Sequence, residues 1–293
     1  MAGPSTAASI GEATAPAAAD ASWPVIADAF SRTARRYDEF AEDHPHLARM
    51  RAKVYAHLER AVAPGSTILE LNAGTGTDAV QLAQRGYRVH ATDIAPGMLE
   101  RGREKVARLG LEDRLTIEER SFLDLEHVTG GPYDAVFSDL GGLNCTADLR
   151  PVIASLDRVL RPGGVVVWVL MPRICLWELA LAFTGQPRLA LRRLSRHGTR
   201  AHLEGRLFDV YYFDPARVMR DFGAAYELLG LEGLSVITPT AESKNLARRH
   251  PRIYGALSWL DDRLAPHAPA SGWGDFFIVS MRRRATSPSS SRP

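Results

Sequence analysis

A chain of 293 residues, 45% of them hydrophobic, is long enough for one large domain or two small ones with a sizeable core. Its formal net charge of +2 excludes a global basic field, so no nucleic-acid partner is expected. Two cysteines, Cys145 and Cys175, stand outside any Cys-x-x-Cys or Cys/His cluster; they exclude a disulfide framework and a structural zinc, and predict a reduced, cytoplasmic setting.

Residues 1–22, rich in Ala, Ser, Thr, Gly and Pro, lack the basic start and apolar run of a signal peptide and are expected to be a disordered leader. Trp23 to Val62 reads as a helical cap, with a break at His44-Pro45 because the residue before proline avoids helix. From Thr67 the pattern alternates. Strands are predicted at Thr67–Leu71, Tyr87–Thr92, Arg114–Glu118, Tyr133–Ser138 and Val165–Leu170. Helices are predicted at Asp78–Arg85, Pro96–Leu109 and Asp148–Leu160, the last from Leu149, Val152, Ile153, Leu156, Val159 and Leu160 at helical spacing. This β/α rhythm predicts a doubly wound parallel sheet.

Beyond Met171-Pro172 the rhythm changes. Residues 172–206 read as mostly helical and arginine-rich, Leu207–Phe213 as a strand, and Asp214-Pro215 as a helix start. Tyr226–Ile237 and Asp275–Met281 read as the last two strands, with a helical stretch at 241–265 between them. Two insertions, 172–213 and 238–273, are therefore expected as lids, within one domain spanning 23–284 whose cap is 23–63. Residues 285–293 are expected to be a disordered tail. No run reaches the ~18 apolar residues that a membrane helix needs.

The motif with most chemical content is Glu70-Leu71-Asn72-Ala73-Gly74-Thr75-Gly76-Thr77-Asp78, followed by Asp93 at the end of the second strand. A strand, a glycine turn and a helix make the nucleotide-binding half of an α/β sheet. Gly74 and Gly76 allow close backbone approach. Glu70 and Asp78 flank the turn and repel a pyrophosphate, whereas a ligand with a sulfonium and an ammonium is attracted. Asp93 offers a carboxylate to both ribose hydroxyls, or caps the next helix, and the two roles are compatible.

These residues resemble class I S-adenosylmethionine (SAM)-dependent methyltransferases, in particular the small-molecule group called type 11, from about Thr67 to Leu170. The family motif reads acid-x-Gly-x-Gly-x-Gly, and here Asn72 replaces the first glycine. Asn tolerates left-handed backbone better than most residues. The resemblance implies a Rossmann-like, doubly wound seven-stranded sheet, mostly parallel with the last strand antiparallel, and SAM as cofactor. It also implies that Asp124 accepts the adenine amino group, that Leu123 and Met98 pack on the ring, and that Tyr37, in Arg35-Arg36-Tyr37-Asp38, closes over the cofactor. Structural roles stand beside these: a surface turn for Asp124, core packing for Met98 and Tyr37, and loop support for Glu70. The candidate cofactor set is Tyr37, Glu70, Asn72, Gly74, Gly76, Asp93, Ile94, Met98, Leu123, Asp124, Ser138 and Leu140. Arg51 is a candidate for the methionine carboxylate, with a solvated helix face as the alternative.

Methyl transfer from a sulfonium is an in-line displacement that asks chiefly for alignment, so no metal is expected. Weak general-base candidates are His202, Tyr211, Tyr212 and Asp139, together with His197 and Asp275. Leu176, Trp177, Leu179, Leu181, Phe183, Tyr211, Tyr212, Phe213, Trp259 and Trp273 suit a hydrophobic or aromatic small-molecule acceptor, with the lids' own core as the alternative for most of them. The arginines between 188 and 206 read as a solvated face, with an acidic group or a peripheral membrane contact as alternatives. Competing functions are an NAD(P)-dependent oxidoreductase, because Gly74-x-Gly76-x-x-Ala79 fits the dinucleotide fingerprint, and a non-catalytic SAM-binding module. A further one is an RNA or protein methyltransferase, against which stand the near-neutral charge and, after strand four, Ser138-Asp139-Leu140-Gly141 in place of an Asn/Asp-Pro-Pro-Tyr motif.

Overall fold

The computed structural model describes residues 22–241 and 244–285. Apart from Ser22 and Ala285, the expected leader and tail lie outside the described residues. In chain order the elements are α1 (Trp23–Ala41), α2 (Pro45–Glu59), β1 (Thr67–Glu70), α3 (Thr77–Gln84), β2 (Arg88–Asp93), α4 (Pro96–Leu109), β3 (Leu115–Glu119), β4 (Tyr133–Ser138), α5 (Arg150–Val159) and β5 (Leu160–Leu170). Then follow α6 (Leu176–Ala180), α7 (Pro187–Ala190), β6 (Thr199–Leu203), β7 (Arg206–Val210), α8 (Pro215–Phe222), β8 (Tyr226–Leu234), α9 (Lys244–Arg249), α10 (Pro251–Leu264) and β9 (Phe276–Arg283).

Seven strands form one sheet in the order β3-β2-β1-β4-β5-β9-β8. β9 runs antiparallel to both β5 and β8, and the other pairings are parallel. Strand order reverses between β1 and β4, and in such sheets the ligand crevice lies outside the carboxyl ends at that point. The two-residue period of each strand divides the core. Ile68, Val165, Val167 and Val169 face α2 and α3, packing with Met50, Val54, Leu58 and Leu82. Leu69, Val166, Trp168 and Leu170 face α5 and α8, packing with Val152, Leu156, Val218 and Phe222.

The helical expectation for 172–206 is only partly met. Gly185 and Pro187 cut the segment into α6, α7 and short 3-10 turns, and 199–203 is a strand. β6 and β7 form a hairpin whose two turn residues, Glu204 (φ 48°) and Gly205 (φ 77°), are both left-handed. Such two-residue turns match the strand twist, but Glu-Gly is a weaker signal than Asn-Gly or Asp-Gly. Ala201, Leu203 and Phe208 of this hairpin pack on Ile26 and Ala29 of α1. Helix α8 begins at Pro215 as expected, although the Asp214 side chain makes no cap. The second insertion packs on α2: His46 Nδ1 lies 2.7 Å from the Tyr254 hydroxyl, and Arg49 donates to Asp261 at 3.3 Å. Among the described residues no helix is long and apolar enough to cross a membrane.

Candidate functional site

β1 ends in Glu70, and the turn after it carries three left-handed residues, Asn72 (φ 47°), Gly74 (φ 57°) and Gly76 (φ 70°). Asp93, buried at the end of β2, holds this turn in place. Its Oδ2 accepts from the Gly74 amide at 2.8 Å and its Oδ1 from the Ala95 amide at 2.9 Å. Burial raises its pKa, while those amides act in the other direction. Each carboxylate oxygen accepts two hydrogen bonds, so anchoring the loop leaves lone pairs for a ligand.

The departure at Asn72 has a partner in space. Its Oδ1 accepts from the Ser138 hydroxyl at 3.1 Å. A Cβ on Gly142 would lie 2.3 Å from Asn72 Nδ2, so the glycine after β4 makes room for the amide that replaces the glycine after β1. Asn72 Nδ2 itself is buried without a partner.

Around the turn lies a group of buried acids. Arg51 Nε, on α2, donates to Asp78 Oδ1 at 2.9 Å and lies 3.9 Å from Asp139 Oδ2. The Tyr55 hydroxyl also donates to Asp78. Arg51 is therefore buried within the site, which overturns the solvated-face reading. Burial opposes its charge, yet Asp78, Tyr37 and Asp139 hold its pKa above the ordinary arginine value. Burial, together with Asp78 and Asp139, pushes Glu70 well up. Burial and Asp78 push Asp139 up to about 7. Glu70 Oε2, Asp139 Oδ2 and Arg51 Nη2 are buried and unpartnered. Four carboxylates (Glu70, Asp78, Asp93 and Asp139) thus share a buried region with the single guanidinium of Arg51. Uncompensated buried charge is costly unless something pairs with it.

Helix α1 covers this region. Ala34 packs with Ala95 and Met98, and Phe30 and Tyr37 flank them. Burial raises the Tyr37 phenol to about 12. Asp38 Oδ1 accepts from Thr75 Oγ1 and from Lys105 Nζ, each at 2.6 Å, tying α1 to the glycine turn and to α4. The close approach depends on Gly97, where a Cβ would lie 2.7 Å from the Ser31 carbonyl oxygen.

The remaining predicted residues surround the same crevice unevenly. Ile94 packs toward the hairpin cluster. Ser138 is fully buried, and Leu140 (φ 49°) with Gly141 (φ 77°) turns the chain sharply after β4. Leu123 is 38% exposed after β3. Asp124 sits in a surface ion pair with Arg120 at 2.7 Å and with His127, as its structural alternative described.

The ten apolar residues named for the acceptor are spread over the two insertions. Phe213 is buried against the wall of the cavity that Tyr211 and Tyr212 line, and Phe183 is 94% exposed. Trp259 lies on the outside of α10 beneath Arg263, and Trp177 is held by its indole to the Ile237 carbonyl. Of the ten, Tyr211, Tyr212 and Phe213 line one cavity. Of the base candidates, His202 is on β6, Asp139 is in the acidic group, and Tyr211 and Tyr212 line a cavity beyond β7. Asp275 is committed to Arg193 at 2.7 Å. The arginines divide: Arg188, Arg196 and Arg206 are exposed as a solvated face requires, whereas Arg192 and Arg193 both bind Glu178 and Arg200 pairs across the hairpin with Asp209 at 3.0 Å.

The sequence reading missed Tyr55 and Asn144. Tyr55 lies one helical turn from Arg51, beside the Met50-Val54-Leu58 core stripe, and that i, i+4 spacing was the available signal. Asn144 donates from Nδ2 to the carbonyls of Met171 (3.2 Å) and Tyr211 (2.6 Å), and its Oδ1 accepts from the Met171 amide at 2.9 Å. It carried no motif.

Comparison with known proteins follows from this geometry. Residues 68–164 match a family described as "Methyltransferase domain". Over 210 residues the chain is 31% identical to malonyl-[acyl-carrier protein] O-methyltransferase of Halorhodospira halophila, covering 67% of this chain and 68% of that protein. The chain belongs to the class I SAM-dependent methyltransferases. Over 110 residues it is 41% identical to demethylmenaquinone methyltransferase of Clavibacter sepedonicus, covering 37% of this chain but only 43% of that protein. Among solved structures, the Burkholderia thailandensis 1,6-didemethyltoxoflavin-N1-methyltransferase aligns with a TM-score of 0.55 over 94% of this chain and 95% of that one, at 15% identity. That likeness supports the methyltransferase fold. The family's cofactor is SAM. The unpartnered oxygens of Glu70 and Asp139 suit its ammonium and sulfonium, and the unpartnered donors of Arg51 and Asn72 suit its carboxylate.

Proposed function

We propose that this methyltransferase moves a methyl group from SAM to a small aromatic acceptor. The observation that carries the cofactor half is the surplus of buried carboxylate at the carboxyl edge of β1 and β4. When bound, SAM supplies a methyl group activated for in-line displacement. In this reading Glu70 and Asp139 face the cationic end, while Arg51 and Asn72 hold the carboxylate. Asp93 accepts the ribose hydroxyls. Ile94, Met98 and Leu123 flank the adenine, with Asp124 at its amino group. Gly74, Gly76, Ser138 and Leu140 bring backbone close to the ligand, and Tyr37 covers it. Residues 23–284 act as one unit, with 23–63 as cap and the two insertions as lids. The protein's contribution is alignment and exclusion of water.

The acceptor half rests on Tyr211 and Tyr212, which line a cavity of about 240 Å³, a little below the usual range for small-molecule sites and so suited to a compact acceptor. The names of the relatives span different acceptors, so acceptor choice is read from this chain alone. A dinucleotide fits poorly, since its pyrophosphate would meet Glu70 and Asp78. Isothermal titration calorimetry with S-adenosylhomocysteine and with NADP+ tests the cofactor half. Uptake of the nucleoside and no heat with NADP+ is expected; the reverse pattern overturns the proposal.

A further inference from the structure

The cavity of about 240 Å³ opens between the end of β5 and the end of β7, and its wall carries Arg173, Arg196 and Arg217 beside the two tyrosines. The other arginines of this insertion that pair with carboxylates are largely spent. Arg192 and Arg193 are held by Glu178, and Arg200 by Asp209. The three in the cavity face a smaller opposing charge. Asp214 Oδ2 lies 3.5 Å from Arg173, and Asp221 lies 3.7 Å from Arg217. Arg196 is exposed and has no carboxylate partner among the described residues. Even with both acids counted, the lining is net positive.

The guanidinium of Arg173 is also pre-set. Its Nη2 donates to the Leu194 carbonyl at 2.6 Å, while its Nε is buried with no acceptor. A buried donor without a partner points to a missing acceptor. Planar guanidinium forks match the geometry of carboxylate and phosphoryl oxygens. One buried side chain joins this cavity to the loop where the methyl group is delivered. Asn144 binds the carbonyl oxygens of Met171 and Tyr211 on the cavity side, and its own amide donates to the Gly141 carbonyl at 2.9 Å.

We infer that the cavity holds an oxyanion, a carboxylate or phosphoryl group, borne by the acceptor, so that the acceptor is an anionic aromatic small molecule. Its role as an acceptor subsite rests on the methyl-transfer reading; the oxyanion site itself does not. The test is calorimetric titration of the full chain with benzoate, with phenyl phosphate and with phenol as the uncharged control. The same titrations on Arg173→Gln/Arg217→Gln, with S-adenosylhomocysteine affinity measured in parallel, separate the two ideas. Saturable binding of at least one anion, none of phenol, and a loss of tenfold or more in the double variant at unchanged nucleoside affinity are expected. Benzoate or phenyl phosphate binding alone tells which oxyanion the site takes. Absence of both anions, phenol binding as well as they do, or full anion affinity in the double variant overturns the inference and leaves the cofactor assignment standing. Anion binding without nucleoside binding removes the methyl-transfer reading and keeps the oxyanion site. If the double variant does not fold, Arg196→Gln at the exposed position is expected to weaken anion binding about threefold, and no change there overturns the site.

Discussion

Two buried ionic groups lie at the carboxyl edge of this sheet, and they are built on opposite principles. Near β5 and β9, Glu178 and Asp275 meet Arg192 and Arg193 in a charge-balanced set. Arg193 Nη2 donates to Glu178 Oε1 at 2.6 Å and to Asp275 Oδ1 at 2.7 Å. Burial works to raise the Glu178 pKa, but hydrogen bonds from Arg192 and the charge of Arg193 win, and it lies below the ordinary value. Asp275, more deeply enclosed, is pushed up by burial despite Arg193. Near β1 and β4, Glu70, Asp78 and Asp139 gather around one guanidinium, that of Arg51, among the described residues, and three side-chain atoms of Glu70, Asp139 and Arg51 lack hydrogen-bond partners. The first group is complete in itself and fastens the insertion that carries α6 and α7. The second carries an excess of carboxylate and unpartnered polar atoms, which is what the proposed cationic cofactor would answer. Charge balance and satisfied hydrogen bonds, more than burial or the mere presence of acids, separate a structural cluster from a binding cluster.

Breaking one partner of the balanced group has the largest expected effect. Glu178→Ala leaves Arg192 without a carboxylate and Arg193 with Asp275 alone, two cations on one acid, and should lower unfolding free energy by about 3–5 kcal/mol in urea titrations. Next is the anchor of the glycine turn. Asp93→Ala removes two charge-assisted bonds of about 1.5 kcal/mol each, so S-adenosylhomocysteine affinity should fall roughly a hundredfold. Gly76→Val, a β-branched residue forced to left-handed backbone, should do at least as much. Unchanged affinity in both folded variants would falsify the site assignment.

The comparison is sharpest for neutral replacements in the unbalanced group. Asp139→Asn and Glu70→Gln should leave the unliganded protein as stable or more stable at pH 8, while weakening nucleoside binding about tenfold by calorimetry, one charge-assisted bond's worth. A stability loss like that of Glu178→Ala would erase the distinction between the groups. pH gives the smallest signal. With Asp139 raised to about 7 in the fold against an ordinary 3.8, the native state holds the extra proton between those values. Its contribution to stability therefore declines as pH rises from about 4 to 7. Unfolding at pH 5 and pH 8 should show this slope in the wild type and a flatter one in Asp139→Asn.

The β/α core was legible because burial on both faces writes continuous apolar strands, and the glycine turn was legible because left-handed backbone demands particular residues. Asp93 and Asn72 could be placed for the same reason. Arg51 was misread because a lone charge on an amphipathic helix carries no sign of which side it faces; the neighbours that bury it, Asp78 and Asp139, lie 27 and 88 positions away in the chain. The β6–β7 hairpin was missed because Glu204-Gly205 is an uncommon way to make its turn. The ten apolar residues named for the acceptor could not be sorted from sequence, because apolarity says that a side chain is buried somewhere: Tyr211, Tyr212 and Phe213 line one cavity, while Phe183 lies in solvent.

Helix α1, fastened through Asp38 to Thr75 and Lys105, lies over carboxylates that a ligand has to reach. In the proposed cofactor reading, that fastening stands in the way of a ligand arriving past α1. Association rates measured by stopped flow should level off at high nucleoside concentration, at a ceiling set by how fast that fastening lets go, and Asp38→Asn should lift the ceiling.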